Sequence, residues 1–266
     1  MIELKNLTKV FNLSSDEKDK RVALDHVNLK INDGEFVTII GSNGSGKTTT
    51  MNLIAGTYIP TEGDILLSGM PISQMKEFKR AKYFGRVFQD PRMGTTAEMS
   101  VLENLEIAYR RGKNHSPFRW GFSSETVRDY FISQVKQFDL GLEDRMNQKV
   151  GRMSGGQRQA LTLLMASLQK PDILLLDEHT AALDPKTARK VLELTEKIVN
   201  ENKMTTIMIT HNMSDALKYG NRLIMFADGG IKLDIKGEEK TKLKIEDLLK
   251  LFNELDSENN DKNHAN

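Results

Sequence analysis

A glycine-rich segment early in the chain has residue types and spacing suited to holding phosphate. Residues 41–48 read GSNGSGKT, which fits the pattern G-x-x-x-x-G-K-[ST] at every position. Glycines let the backbone curl so that successive N–H groups point at phosphate oxygens, and the following helix presents its positive N-terminal end to the same anion. Lys47 is placed to reach the β- and γ-phosphates, and the Thr48 hydroxyl to ligate Mg²⁺. We therefore predict that this loop binds ATP or GTP.

Two carboxylates follow an apolar run in the second half of the chain. Residues 173–176 read ILLL and are followed directly by Asp177 and Glu178. Ligands sit at the carboxyl ends of strands in an open α/β sheet. Asp177 is suited to holding Mg²⁺ through water, and Glu178 to orienting and deprotonating an attacking water. Such a pair also occurs as a solvated strand end, but beside a phosphate loop it favours a hydrolase over a small-molecule kinase.

A third motif, MSGGQ at residues 153–157, predicts the start of a helix. Ser154 is a good N-cap, and Gly155 and Gly156 open a helix that ends near Pro171. An exposed helix N-terminus is a second candidate anion site, although the motif also reads as a simple capping turn. One nucleotide cannot easily use both sites of a single chain.

The elements around these motifs alternate between strands and helices. Strand-like spacing dominates the first residues, and short apolar runs at 36–40, 173–176 and 206–210 are typical of buried parallel strands. Helical patterns lie at 47–55, 186–200 and 242–255, and helical periodicity through Phe131 and Phe138 predicts a helical insertion over about 90–152. This alternation predicts a parallel sheet covered by helices.

Composition excludes several classes of protein. The 266 residues are 38% hydrophobic and 28% charged with a formal charge of +1, which is typical of a soluble globular protein. Nucleic acid is not expected as a partner, because DNA-binding proteins usually show a basic excess. The absence of cysteine excludes disulfides and thiolate metal sites. We see neither a signal peptide nor an apolar run of about 20 residues, so we expect any membrane role to run through a partner on the cytoplasmic side.

With these motifs in place, the sequence resembles the ABC ATPase family over roughly residues 1–236. The resemblance depends most on residues 153–157, which are similar to the family's signature motif LSGGQ with Met in the first place. Gln89 is similar to the Q-loop glutamine, a contact of Mg²⁺ and water. Asp184, in the segment ALD, is similar to the D-loop residue, and His211 to the switch histidine that contacts the γ-phosphate.

The resemblance implies a set of site residues. Its implied catalytic residues are Glu178, His211 and Gln89, and its implied Mg²⁺ ligands are Thr48, Gln89 and Asp177. The implied nucleotide-binding residues are Phe11, Gly41, Ser42, Asn43, Gly44, Ser45, Gly46, Lys47, Thr48, Thr49, Ser154, Gly155, Gly156, Gln157 and Asp184.

Two positions differ from what is common in the family. Phe11 resembles the aromatic residue that stacks on adenine, but the polar stretch 12–21 puts it further from the loop than usual, and a core phenylalanine of the first hairpin is the alternative. His179 stands where the family usually has proline. This changes the backbone freedom beside Glu178, and we expect hydrolysis to survive it.

The resemblance also implies an architecture and partners. The implied fold class is α/β, a P-loop NTPase with a RecA-like parallel-sheet core, an N-terminal antiparallel β subdomain and an inserted α-helical subdomain. Residues 1–236 form the ATPase domain. Outside the resemblance, helical periodicity predicts a C-terminal helical extension over 237–256, and polar composition predicts a disordered tail over 257–266. Two subunits pair head to tail around two ATPs, so that each signature helix caps the γ-phosphate held by the other subunit. The partners are a second copy, an integral-membrane permease and, indirectly, an extracytoplasmic substrate-binding protein, at the cytoplasmic face of the cell membrane.

A narrower likeness is carried by the segments FQDP (88–91), YRRGK (109–113) and DEHTAALD (177–184). They resemble a bacterial importer branch that works with tryptophan- or tyrosine-type substrate-binding proteins. The expected function is therefore ATP-driven import of a small solute, such as one of these amino acids. A soluble ABC ATPase in cofactor assembly is the main alternative. A P-loop small-molecule kinase is a weaker alternative, because it has no reason to carry the signature motif.

Overall fold

The computed structural model describes residues 1–12, 20–112, 125–137, 139 and 141–264, with only the backbone described for residues 255–264. Contacts divide the chain into two compact units: Met1–Met75 with Ile207–Asn266, and Lys76–Thr206. The second unit contains the predicted helical insertion and extends beyond it on both sides.

The structure contains strands and helices in alternation over most of its length. The strands are β1 (Ile2–Asn12), β2 (Lys20–Ile31), β3 (Phe36–Gly41), β4 (Glu62–Leu67), β5 (Met70–Pro71), β6 (Phe84–Val87), β7 (Ile173–Asp177), β8 (Thr205–Ile209), β9 (Arg222–Ala227) and β10 (Gly230–Lys236). The helices are α1 (Lys47–Ala55), α2 (Glu77–Arg80), α3 (Val101–Arg110), α4 (Glu125–Lys136), α5 (Gly155–Ser167), α6 (Pro185–Asn202), α7 (Met213–Lys218), α8 (Glu238–Lys242) and α9 (Ile245–His264).

The first unit begins with an antiparallel sheet in the order β2-β1-β4-β5. Ile2 on β1 lies opposite Ile31 on β2 and opposite Leu67 on β4, and all three side chains are buried. Such cross-strand apolar rows stabilise a sheet that has one face in the core. This sheet confirms the predicted N-terminal antiparallel β subdomain.

Each unit also contains parallel strand pairs. In the first unit β3 runs parallel to β9, which pairs with β10 in the antiparallel sense. In the second unit β6 runs parallel to β7. Helix α5 packs so closely on β6 that a side chain at Gly85 would place its Cβ 2.3 Å from the Ala166 carbonyl oxygen. The buried, non-alternating strands β3 and β7 therefore have the character that their apolar runs predict.

Helices α3 and α4 lie within the stretch 90–152 that is predicted to be a helical insertion. Helix α3 starts with a capping box, in which Ser100 and Glu103 satisfy each other's backbone N–H groups. Its Tyr109 ring lies edge-on to Phe131 of α4, with centroids 5.5 Å apart. Phe131 and Val135 are buried, as their helical spacing predicts, whereas Phe138 lies outside the described residues.

The C-terminal extension packs on the core of the first unit through Leu248, with Leu251 and Phe252 partly buried against the same cluster. Leu248 of α9 is buried in a cluster with Ile40 of β3 and Leu223 of β9. The apolar side chains of α9 are only partly covered, because Ile245 and Leu249 remain exposed. The backbone of α9 continues through His264, although we expected a disordered tail from residue 257. A helix that is already nucleated gains a hydrogen bond with each added residue, and a composition-based expectation omits this.

A buried lysine ties α8 to the end of α7. The Lys240 ammonium donates hydrogen bonds to the carbonyl oxygens of Tyr219 and Gly220. Burial lowers the pKa of Lys240 to about 8. The carbonyl groups after α7 thus receive donors from a residue about twenty positions later, a contact that the sequence pattern did not indicate. Within the described residues, no helix combines the length and the apolar content needed to span a bilayer.

Replacing Leu248 with alanine should destabilise the protein by about 2–5 kcal/mol, because it leaves a cavity in a packed cluster. Leu248 is 0% exposed, whereas its neighbour Leu249 is 45% exposed. The matched control Leu249→Ala should therefore change the free energy of unfolding by less than about 0.5 kcal/mol. Urea denaturation followed by circular dichroism measures both values. Equal effects of the two substitutions would contradict the packing assigned to α9.

Candidate functional site

The phosphate-binding motif forms a loop between a buried strand and a helix. β3 ends at Gly41, and α1 begins at Lys47, with Gly46 as its N-cap at a φ of 105°. No side chain caps this helix N-terminus. The first N–H groups of a helix lack intrahelical partners, so an anion placed here meets backbone donors and the positive end of the helix dipole.

Two of the loop glycines are required by close packing. A Cβ at Gly41 would lie 2.3 Å from the carbonyl oxygen of Phe226, and one at Gly46 would lie 2.5 Å from Leu24 Cδ2. Both glycines also have a positive φ that is costly for other residues. The loop therefore cannot keep this path with side chains at these two positions.

The loop lysine is held by the loop itself. Lys47 is 6% exposed, and its Nζ donates hydrogen bonds of 2.8 Å to the carbonyl oxygens of Gly41 and Ser42. These bonds fix the ammonium beside the backbone donors of the same loop. A cation thus lies within the loop that leads into the start of α1, which suits a polyanionic phosphate chain.

The three threonines after Lys47 differ in orientation. Thr50 is buried, and its hydroxyl donates to the Gly46 carbonyl at 2.9 Å. Thr48 is exposed and Thr49 is partly buried.

Oxygen ligands suit Mg²⁺, which usually keeps several waters and is held by one or two carboxylates together with substrate phosphates. The Thr48 hydroxyl fits that ligand type. Groups of three or more His, Asp or Glu able to hold a metal do not occur among the described residues.

The acidic pair lies at the end of β7. Asp177 closes the strand, and its carboxylate lies 3.7 Å from Nη2 of Arg86, with side chains 13% and 15% exposed. The same guanidinium lies 4.6 Å from the centroid of the Phe88 ring. Arg86 is a site-adjacent residue that the sequence analysis missed. Its only signal is a basic residue near the end of an otherwise apolar strand, β6, with sequence FGRV.

Glu178 adopts an unusual backbone conformation. Its φ of 43° lies in the left-handed region, which residues with side chains rarely adopt. Strained conformations of this kind are concentrated at functional sites. The turn reverses the chain directly after the strand, so that Glu178 is only partly buried, while the next residue is fully buried.

His179, in place of the usual proline, is a structural residue here. It is 2% exposed, and its Nε2 lies 3.1 Å from Thr195 Oγ1 on α6. Thr195 Oγ1 already donates its hydrogen to the Val191 carbonyl, so Nε2 must carry the proton and donate. Burial lowers the pKa of His179 to about 4. The ring is therefore neutral at neutral pH and anchors the turn to α6.

The signature motif forms a capped helix start, as predicted. The Ser154 hydroxyl accepts from the Gln157 backbone N–H at 3.3 Å, and Gln157 Oε1 accepts from the Ser154 N–H at 3.2 Å. Gly156 is required because its Cβ would lie 2.1 Å from Thr187 Cγ2 on α6. Gly155 has no such restriction, since the nearest atom, Leu183 Cδ2, would be at 3.6 Å.

Asp184, which the sequence analysis compares with the D-loop residue, caps α6. Its carboxylate accepts from the backbone N–H groups of Lys186 and Thr187 at 3.2 and 3.1 Å. Hydrogen bonds from Thr187 hold the pKa of the Asp184 carboxyl below its usual value. The structure thus gives this residue a local role in positioning the start of α6.

The remaining predicted residues lie at strand ends or on the hairpin. Gln89 is exposed two residues after β6, and His211 is exposed two residues after β8. Phe11 is partly buried near the end of β1, with its ring edge-on to Tyr58 at 5.2 Å and under the Lys9 ammonium at 5.0 Å. Phe11, the phosphate loop and His211 belong to the first unit. Gln89, the acidic pair, the signature motif and Asp184 belong to the second.

A glycine-rich loop between a parallel strand and a helix, together with carboxylates at the end of another parallel strand, defines a P-loop nucleotide-binding α/β protein. The family model described as ABC transporter matches residues 24–181, and the chain belongs to this family. It is therefore an ATP-hydrolysing, ATP-binding subunit of that family.

Several relatives match nearly the whole chain. A tyrosine transport ATP-binding protein of Clostridioides difficile (strain R20291) is 44% identical over 252 residues, covering 95% of this chain and 98% of that protein. A phosphonates import ATP-binding protein of Lactobacillus delbrueckii subsp. bulgaricus is 33% identical over 243 residues, covering 90% and 91%. Among solved structures, a dimeric ATP-binding cassette in a post-hydrolysis state bound to ADP and Pi matches with a TM-score of 0.75 and 32% identity, covering 89% of this chain and 98% of that one.

The neutral, buried state of His179 predicts a pH dependence of stability. Its pKa is about 4 in the folded state against an ordinary value of 6.5, so the unfolded chain takes up a proton first as the pH falls. The free energy of unfolding should therefore drop between pH 6.5 and 4, with this residue contributing up to about 1.4 kcal/mol per pH unit.

The control is His179→Gln, which keeps a donor for Thr195 and does not titrate. Urea denaturation at a series of pH values should show a shallower decline for this variant than for the wild type. Parallel curves for the two proteins would contradict the assigned state of His179.

Proposed function

We propose that two copies of the chain form a head-to-tail dimer that hydrolyses two ATPs and drives import of an aromatic amino acid through a separate permease. The observation that carries the dimer is the presence of two helix starts in one chain that fit an anion: the uncapped start at Lys47, and the start at Ser154, where the serine hydroxyl caps only the Gln157 N–H. One nucleotide has little use for both starts of a single copy. A symmetric pair lets each nucleotide contact one of each kind.

In this proposal the residues around the phosphates divide their roles. The loop at residues 41–49 binds the phosphate chain, and Phe11 stacks on the adenine. Ser154, Gly155, Gly156 and Gln157 of the partner copy complete the γ-phosphate site, next to Asp184. Mg²⁺ neutralises phosphate charge when it is bound with Thr48, Gln89 and Asp177 as its protein contacts. Glu178 accepts a proton from the attacking water, and Gln89 and His211 orient the water and the γ-phosphate.

The dimer works as a two-state motor in this proposal. ATP favours the closed state because its γ-phosphate is contacted by both copies, and hydrolysis removes that bridge. Moving an equilibrium from 1:99 to 99:1 requires a preference of about 5.5 kcal/mol. Two γ-phosphates, each held by charge-assisted hydrogen bonds, are sufficient for a preference of that size.

The proposed solute is tyrosine or a similar aromatic amino acid. Support comes from the 44% identity to a tyrosine transport ATP-binding protein over 95% of this chain. The proposed partners are a membrane-spanning permease and, through it, an extracytoplasmic substrate-binding protein. The proposed location is the cytoplasmic face of the cell membrane, bound to the permease.

Glu178→Gln tests the catalytic assignment. The variant should lose at least about 100-fold in ATP turnover, because a general base of this kind contributes 10²–10⁴-fold. With ATP present it should remain a dimer in size-exclusion chromatography with light scattering, because the γ-phosphate bridge is not removed. The matched control Glu193→Gln, at an exposed position of α6, should behave as wild type. The variant Lys47→Ala should bind ATP weakly and stay monomeric. Rapid ATP turnover by Glu178→Gln would refute the assignment of Glu178 as the general base.

Transport is tested in a host strain that lacks this chain. Uptake of radiolabelled tyrosine should return with the wild-type chain and fail to return with Glu178→Gln or Lys47→Ala. Unlabelled tyrosine or tryptophan should compete for uptake, and leucine should not. Tagged Glu178→Gln purified from detergent-solubilised membranes should carry a multi-spanning protein with it. Recovery of soluble partners alone, with tyrosine uptake independent of the chain, would favour the alternative of a soluble ABC ATPase.

A further inference from the structure

An arginine on the first hairpin lies on the same side of the sheet as Phe11. Arg21 on β2 is the direct cross-strand partner of Phe11 on β1. Directly opposite residues of an antiparallel pair project their side chains from the same face. The hairpin therefore presents an aromatic ring and a guanidinium side by side. In sequence, the polar stretch 12–21 separates Phe11 from the phosphate loop. In the structure, Arg21 lies opposite Phe11, and β2 runs from Arg21 along that loop.

The contacts of β2 with the loop show how near Arg21 lies. A Cβ built on Gly44 would be 2.8 Å from Arg21 Nη2. A Cβ built on Gly46 would be 2.5 Å from Leu24 Cδ2 and 2.8 Å from the Ala23 carbonyl oxygen. Three positions of β2 thus lie against two glycines of the same loop. The guanidinium is packed on the loop backbone at Gly44, at the middle of the phosphate-binding motif.

The chemistry of this position favours a phosphate ligand. Arg21 is exposed, so its N–H groups are accessible to a molecule bound at the loop. A guanidinium offers a rigid fork of donors that matches two phosphate oxygens, and it stays charged at every physiological pH. Lys47 is already bonded to the carbonyl oxygens of Gly41 and Ser42. A second cation at the rim helps to balance the several negative charges of a nucleoside triphosphate.

We propose that Arg21 is a nucleotide-binding residue, whose guanidinium contacts the phosphate chain of the nucleotide held by the loop. This assignment rests on the proposed function of residues 41–48 as the ATP site. The proposal adds to the ATP site a cation from the first hairpin, next to Phe11. Arg21 lies outside every motif that the sequence analysis identified. The consequence is that the hairpin takes part in binding both the base and the phosphates.

Arg21→Gln tests the proposal in the full-length chain. The affinity for ATP, measured by isothermal titration calorimetry, should fall about tenfold, since one charge-assisted contact is lost. Arg21→Lys should keep part of the affinity, because it retains the charge but not the fork. The matched control is Lys30→Gln, which removes an exposed cation from the other end of β2 and should leave ATP affinity within about twofold.

The salt dependence separates a phosphate contact from a packing role. If Arg21 contacts phosphate, the loss of ATP affinity with added KCl should be less steep in Arg21→Gln than in wild type, because one ion pair fewer is screened. Thermal unfolding of each variant checks that the chain folds, and Arg21→Lys provides the comparison if Arg21→Gln is unstable. Equal ATP affinity in Arg21→Gln and wild type would overturn the proposal, as would an equal loss in Lys30→Gln. Failure of the wild-type chain itself to bind ATP would instead overturn the proposed function of the loop.

Discussion

The Lys47 ammonium, bonded to the carbonyl oxygens of Gly41 and Ser42, is the interaction on which the site depends. It requires a backbone that turns these two carbonyl oxygens towards the lysine at the start of α1. Only glycine fits at positions 41 and 46, where a Cβ would collide with neighbouring strands. The packing of β2 and β9 around the loop therefore fixes the shape of the anion site before any ligand arrives, which lowers the cost of ordering on binding.

The capping residues of the second unit have structural contacts that bear on their proposed part in nucleotide binding. The Ser154 hydroxyl uses an oxygen lone pair to accept from the Gln157 N–H. A hydroxyl has one donor and two acceptor sites, so this cap uses only an acceptor site of Ser154, which is compatible with the proposed donation of its O–H to a phosphate oxygen. Asp184 is an acceptor only, and its Oδ1 takes both N–H groups at the start of α6. A direct contact between this carboxylate and a phosphate would be opposed by the repulsion of two negative charges. Asp184 is therefore better suited to positioning the start of α6 beside the signature helix.

Local sequence predicted the elements whose cause is local. The phosphate loop, the Ser154 cap and the antiparallel hairpins follow from glycine, capping and alternation rules, and the structure has each of them. Contacts between residues distant in sequence could not be read in this way. The Lys240 bonds to the end of α7 and the burial of His179 against α6 depend on the packing of whole elements. The same applies to Arg86, because its contact with Asp177 exists only once β6 and β7 are paired.

The Arg86–Asp177 contact places a positive charge beside the carboxylate at the end of β7. At 3.7 Å the guanidinium nitrogen is beyond a good hydrogen-bond distance, so this contact attracts the carboxylate mainly through charge. A carboxylate that is only 13% exposed is costly without such a counter-charge. The cation is itself retained by the Phe88 ring at 4.6 Å, and the Phe88 carbonyl accepts from Gln159 Nε2 of the signature helix α5 at 3.1 Å. The carboxylate of Asp177, the proposed Mg²⁺ ligand, thus contacts the segment of residues 86–88. This segment leads directly into Gln89 and is hydrogen-bonded to α5, the helix that starts at the signature motif. All of these contacts lie within the second unit.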